Sequence, residues 1–235
     1  MSLYLILNLA SISIPFFCSF DKRMPFFKYW KYLFPAILIS GIIFISWDVY
    51  FTKIGVWGFN PAYHSNLIIF GLPLEEWLFF FCIPYACVFT HYSLIYFFPD
   101  KLYTKKSINI ISYSLIIIFF LLGILNTDKL YTSSTFVLTA VILIYSVIYH
   151  QKTLGYFYWT FLVMLIPFFI VNGILTGFAI PEEVVWYNNN ENLGIRMITI
   201  PVEDTFYGFS LILLNILIID FLKEKRLSNL IGGKP

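Results

Sequence analysis

Residues 67–98 read LIIFGLPLEEWLFFFCIPYACVFTHYSLIYFF, thirty-two positions carrying only two formal charges, Glu75 and Glu76. Inside lipid every backbone amide must be satisfied within the chain, so a run this apolar has to be helical. A spanning helix needs about 20 residues to cross a hydrocarbon core ~30 Å thick, so this stretch is too long for one straight span. Pro73 and Pro84 interrupt it, which predicts kinks, or a short interfacial segment ahead of Pro73.

Six further windows have the same character: Leu3–Ser19, Leu33–Phe51, Ile108–Leu125, Thr135–Tyr149, Phe157–Gly177 and Met197–Leu222. Across the chain 60% of residues are hydrophobic and 12% charged, against roughly 45–50% and about 25% in soluble proteins. The expectation is an all-α integral membrane protein with seven transmembrane helices. Net charge is +2, with no basic block interleaved with aromatics, so a nucleic-acid partner is not expected. Cys18, Cys82 and Cys87 lie in apolar runs without a C-x-x-C pair and suggest neither a disulfide framework nor a zinc site.

Orientation follows from the basic residues, which stay cytoplasmic. Lys22, Arg23, Lys28, Lys31, Lys101, Lys105, Lys106, Lys152, Lys223, Lys225, Arg226 and Lys234 fall on one side, and Lys53, Lys129 and Arg196 on the other. This asymmetry predicts an N-out, C-in topology in the cytoplasmic (inner) membrane.

The halves echo each other. Pro73-Leu-Glu75-Glu76 opens the charged part of the third stretch, and Pro201-Val-Glu203-Asp204 does the same for the seventh. Trp57 precedes Pro73 by sixteen residues and Trp186 precedes Pro201 by fifteen. The expected architecture is two parallel three-helix repeats joined by a linker helix. The halves are residues 1–98 and 135–222, the linker 99–134, and a cytoplasmic tail 223–235.

Helices begun at Leu67 and Met197 would place the acids about 9–12 Å along their axes, inside the outer leaflet. Ionisable groups there usually face a cavity and mark function. The competing explanation is an ordinary helix start, with acids set against the positive end of the helix dipole. Neighbouring residues lie ~100° apart, so one acid of each pair would point fully into a shared cavity. Spacing alone does not say which. Clustered carboxyls in an apolar, aromatic-lined cavity favour a neutral acid beside an ionised partner. Such a pair can protonate an electron-rich double bond, and aromatic faces can stabilise the cation.

Several other residues could contribute. Asp48 can pair with Lys53, cap its helix end or share the cavity. Trp57, Trp77, Trp186 and Tyr187 can line the cavity or form an interfacial belt. Asn172, in Asn172-Gly173-x-x-x-Gly177, can contact substrate or mark close helix packing. A proton-coupled or small-solute transporter also uses parallel three-helix repeats and is the main alternative. It would need a polar inward path, whereas the inner halves of the third and seventh stretches are apolar apart from Asn215. A retinal protein would need a lysine that the seventh stretch lacks, and scattered His64, His91 and His150 disfavour a metalloprotease.

The two Pro-x-Glu-Glu/Asp motifs, with Asp48 and Gly55-Val-Trp57-Gly-Phe before the first, resemble the membrane-integral, flavin-independent lycopene cyclases in their fused form. The resemblance implies protonation of a terminal double bond, ring closure through a tertiary cation and proton loss to a β-ionone-type ring, with no net redox change. It makes Glu75, Glu76, Glu203 and Asp204 the candidate catalytic acids and bases. Asp48, Trp57, Trp77, Phe206 and Asn172 become candidate substrate contacts. Neither flavin nor metal is expected as cofactor, and no G-x-G-x-x-G offers a dinucleotide site. The implied partners are the lipid membrane and a carotenoid drawn from it through a lateral opening; a second copy or another carotenoid enzyme is allowed but not required.

Overall fold

The computed structural model describes residues 1–100 and 102–232, so Lys101 and Lys234 of the charge count lie outside the described residues. Seven α-helices carry the fold: α1 (Leu3–Cys18), α2 (Trp30–Ile54), α3 (Leu74–Phe97), α4 (Lys105–Leu125), α5 (Leu130–Tyr149), α6 (Gln151–Leu175) and α7 (Val202–Gly232). All but α1 are long and apolar enough to cross a membrane, and the chain is an integral membrane protein. Seven spans were expected. The first is shorter, since the 16 residues of α1 rise only ~24 Å.

Local chemistry sets the helix ends. Ser2 caps α1 by accepting from the Leu5 amide at 3.2 Å, and Thr104 caps α4 by accepting from Ser107. Gly55, at φ +76°, closes α2 in the left-handed region open to glycine. Of the two forms expected for the long third stretch, the structure has a short separate segment ahead of α3 rather than a helix from Leu67: Ile68–Ile69 (β2) and Leu72–Pro73 (β3) form a tight antiparallel hairpin. Ahead of α7, Arg196–Met197 (β5) and Ile200–Pro201 (β6) form its counterpart. The segment expected from Thr135 begins at Leu130, and its extra turn carries Tyr131 and Thr132.

Packing repeats between the halves. Helix α1 lies on α3 as α5 lies on α7, while α2 packs on α7 and α6 on α3 across the centre. The loops after α2 and α6 meet as antiparallel strands, Trp57–Phe59 (β1) and Val185–Tyr187 (β4), with Gly58 opposite Trp186. The arrangement is that of two parallel three-helix repeats, with α4 joining them along α5. Phe44, Phe136, Phe157 and Leu213 are fully buried where the helices meet.

Candidate active site

The helix starts of α3 and α7 place two acids each in a first turn rather than deep along a helix. They are buried nonetheless, with exposures of 1% for Glu75, 7% for Glu76, 0% for Glu203 and 6% for Asp204. The depth expected from helices starting at Leu67 and Met197 is therefore corrected. Burial comes from the folded hairpins and neighbouring helices.

The two acids of each pair have different jobs. The Glu75 carboxylate accepts from the Ser65 amide at 2.7 Å, the Ser65 hydroxyl at 3.0 Å and the Ser2 hydroxyl at 2.6 Å. Glu203 repeats the pattern, accepting from the Leu193 amide at 2.8 Å and Thr132 Oγ1 at 2.6 Å. In both cases the amide lies ten residues upstream, and a backbone bond closes the same loop (Leu74 N to Leu67 O, Val202 N to Ile195 O). These acids clamp the hairpins to the helix starts, and neither lines the main cavity.

Glu76 and Asp204 do line it, together with Asp48 of α2. Asp48, 2% exposed, turns inward rather than toward Lys53. Its Oδ1 accepts from Trp57 Nε1 at 2.5 Å and from Thr52 Oγ1 at 3.3 Å. Its Oδ2 is buried and receives no donor among the described residues. The Glu76 carboxyl lies within hydrogen-bonding reach of Asp48 and also accepts from the Tyr4 hydroxyl. Asp204 accepts from Tyr131 at 2.6 Å and Tyr187 at 2.9 Å. None of the ion pairs found among the described residues reaches these acids. Burial, then the Asp204 charge, pushes the Tyr187 phenol on β4 well above its ordinary value, so it stays a donor.

Aromatic rings close the head of the cavity. Trp57 lies 5.0 Å from Tyr131 and 6.1 Å from Tyr187 between centroids. Tyr207 lies 6.3 Å from both Trp57 and Tyr131. From this head the cavity, about 480 Å³, runs down one face of α3 through Phe79, Ile83, Ala86 and Thr90. From Glu76 at the head to Thr90 it is ~21 Å long at 1.5 Å per residue. The hydroxyls along it turn back onto their own helices, Ser11 to Leu7 O, Thr90 to Ala86 O and Thr176 to Asn172 O, leaving an apolar lumen. Ile14 of α1 and Ile170 of α6 also line it yet are 72% and 60% exposed, so it opens sideways between these helices.

Of the sequence candidates, Asp48, Trp57, Glu76, Asn172 and Asp204 come together on this cavity. Asn172 forms part of the wall, its amide bonded to Phe168 O at 3.3 Å. Gly177, at φ +99°, terminates α6 rather than packing against a neighbour helix. Trp77 and Phe206 lie elsewhere: Trp77 braces the first hairpin through Ile69 O, and Phe206 packs on Phe119 and Phe136. Tyr4 and Tyr131 were missed: Tyr4 sits in an apolar run and Tyr131 in a polar stretch among Lys129, Thr132, Ser133 and Ser134, neither with a motif around it. The expected internal repeat carried the only signal, since both fall near the start of the helix packed on an acid-bearing one.

The chain matches the family model described as lycopene cyclase over residues 1–94 and 128–222. The stretches hold α1–α3 and α5–α7 and leave out α4. No curated protein and no solved structure matches the chain. The matched stretches cover well over half of the 235 residues and include every carboxyl described above: the chain belongs to the lycopene cyclase family.

Proposed function

We propose that the chain closes β-ionone-type rings at the ends of lycopene or a related acyclic carotene, with the three cavity carboxyls as its acid and base. Membership of the family supports carotenoid cyclisation in general. The observation that carries the finer reading is a head of three carboxyls and four aromatic rings on a long apolar channel that opens sideways. A polyene lies along the channel with its end against the acids. Two adjacent carboxyls without a cation share a proton, which makes the Asp48–Glu76 pair the donor. That proton adds to the terminal double bond and leaves a tertiary cation, which the next double bond attacks to form the ring. Asp204, held as acceptor by two phenols, takes the proton that restores the ring double bond. One proton is added and one removed, so no electron is exchanged.

While charge is on the carbon skeleton, the faces of Trp57, Tyr131, Tyr187 and Tyr207 stabilise it. The outer face of the cytoplasmic membrane is the proposed site of the acids, and the bilayer supplies the substrate. A transporter would need a polar route inward, whereas Asn215 is buried on α7, bonded to Leu211 O and off the cavity. The test is pigment chromatography of a lycopene-accumulating bacterial host expressing the chain. β-Carotene or a one-ringed intermediate is expected. Unchanged lycopene with the protein in the membrane would refute lycopene as the substrate, and unchanged related acyclic carotenes in the same host would refute the cyclase reading.

A further inference from the structure

A second cavity, also about 480 Å³, lies behind Trp57, which lines both. Its walls include Thr52, His64, Asn66 and Trp186, with Gly71 of the first hairpin at its edge. Asn66 and Gly71 are exposed, so this cavity opens at the loop end of the molecule, whereas the main cavity opens between helices. Thr52 lines only the second cavity and Asp48 only the first, and the 3.3 Å bond from Thr52 Oγ1 to Asp48 Oδ1 joins them.

The proposed function gives this link a task. If Asp48–Glu76 donates a proton and Asp204 receives one, each turnover leaves the first pair one proton short. The indole of Trp57 can donate a hydrogen bond but has no acceptor with which to relay a proton. The Tyr4 hydroxyl can relay, but Tyr4 is 1% exposed and lines only the main cavity. Thr52 is half-buried, and its hydroxyl can both give and accept.

We propose that the outer cavity is the water port through which the Asp48–Glu76 pair regains its proton from bulk solvent, with Thr52 as the relay. A water in the port gives a proton to Thr52 Oγ1 as the Thr52 hydroxyl proton passes to Asp48. The hydroxide left behind is neutralised when Asp204 passes its extra proton to the half-buried Tyr187 hydroxyl 2.9 Å away, whose own proton goes to solvent. No net proton or electron is gained over a cycle. Thr52 is a positioning and relay residue, since it touches the acid and not the substrate.

This rests on the cyclase reading, and isotope content separates the two. Membranes containing the full chain are given unlabelled lycopene in D2O over many turnovers, and the product is analysed by mass spectrometry. With the port open, each ring gains about one deuterium at the protonated carbon, because the acid is replenished from solvent before it acts again. Thr52→Val keeps the shape but removes the relay, so protons abstracted from substrate are recycled and deuterium per ring falls several-fold; Thr52→Ser restores it. Should Thr52→Val fail to accumulate in the membrane, Asn66→Trp, which plugs the exposed rim and leaves Thr52 in place, must give the same fall. Wild-type deuterium content in these variants, or undeuterated rings from the wild type, would overturn the port. Absence of any ring from the wild type refutes the cyclase reading itself.

Discussion

Two side chains one residue apart, Glu75 and Glu76, do different work because a helix turns ~100° between them. Glu75 meets three donors from the preceding loop and α1, while Glu76 meets Tyr4, Asp48 and the cavity. Glu76→Gln and Asp204→Asn should each lower ring formation by at least about 100-fold, the usual scale of a lost general acid or base, with normal membrane levels. Glu75→Ala should act on stability instead. It takes the acceptor away from the Ser65 amide and from the Ser2 and Ser65 hydroxyls, and leaving a buried donor unmet costs about 1–3 kcal/mol. A lower detergent melting temperature with turnover per folded molecule retained is the expected pair of readings; unaltered melting with lost turnover would reverse the assignment. Tyr131→Phe removes one of two donors on Asp204. A hydrogen bond to a charged group contributes about 1.5–3 kcal/mol, so turnover should drop by roughly 10- to 100-fold. The four acids were legible in the sequence as a repeated motif. Their division of labour was not, because α3 and α7 are apolar on nearly every face and offer no polar stripe to set the rotation.

Element boundaries explain what else was hidden. A hairpin at the edge of a membrane presents apolar residues outward, so its strands read like the start of a span. Leu67, Phe70 and Ile198 are all well exposed, and nothing in their composition separates hairpin from helix. Phe70 and Ile198 even occupy the left-handed region at the two turns, at φ +52° and +64°, where glycine is the usual sign of a turn. The number and order of the apolar stretches were readable, since length and hydropathy suffice for that; the first turn of α5, carrying Tyr131 and Thr132, was not, because Thr, Ser and Lys there weaken the apolar signal. Close helix packing gives a test at this scale. A methyl group added at Gly123 of α4 would sit 2.7 Å from Val137 Cγ2 and 3.3 Å from Ser133 O on α5. Small residues let membrane helices approach this closely, so Gly123→Leu must separate α4 from α5 and should destabilise by about 1–3 kcal/mol. The readout is thermal aggregation in detergent; an unchanged midpoint would show that α4 does not pack on α5 through this face.

Across the whole molecule the likeness of the two halves is broken at the centre. Each half contributes one acid from a helix start, Glu76 or Asp204, but only α2 adds a third, as α6 contains no Asp or Glu. The break gives the cavity head two unlike sides, the Asp48–Glu76 pair and an Asp204 held by two phenols, which is what the proposed acid and base at one carbon skeleton require. Both sides stand at one end of a channel ~21 Å long, more than a ring needs but suited to a rod-like polyene whose tip reacts. Its middle therefore offers a test that leaves the chemistry untouched. Ala86 of α3 faces the lumen, ten residues and thus ~15 Å from Glu76. Ala86→Phe fills the lumen there, with the carboxyls, phenols and Thr52 unchanged. Ring formation on a full-length carotene should fall by at least about tenfold, the equivalent of 1.4 kcal/mol in binding, while an acyclic substrate too short to reach Ala86 should still be cyclised. Equal loss on both substrates would mean that the substitution disturbs the head. Wild-type turnover of the long one would place the polyene outside this channel and leave the sideways opening between α1 and α6 without a role.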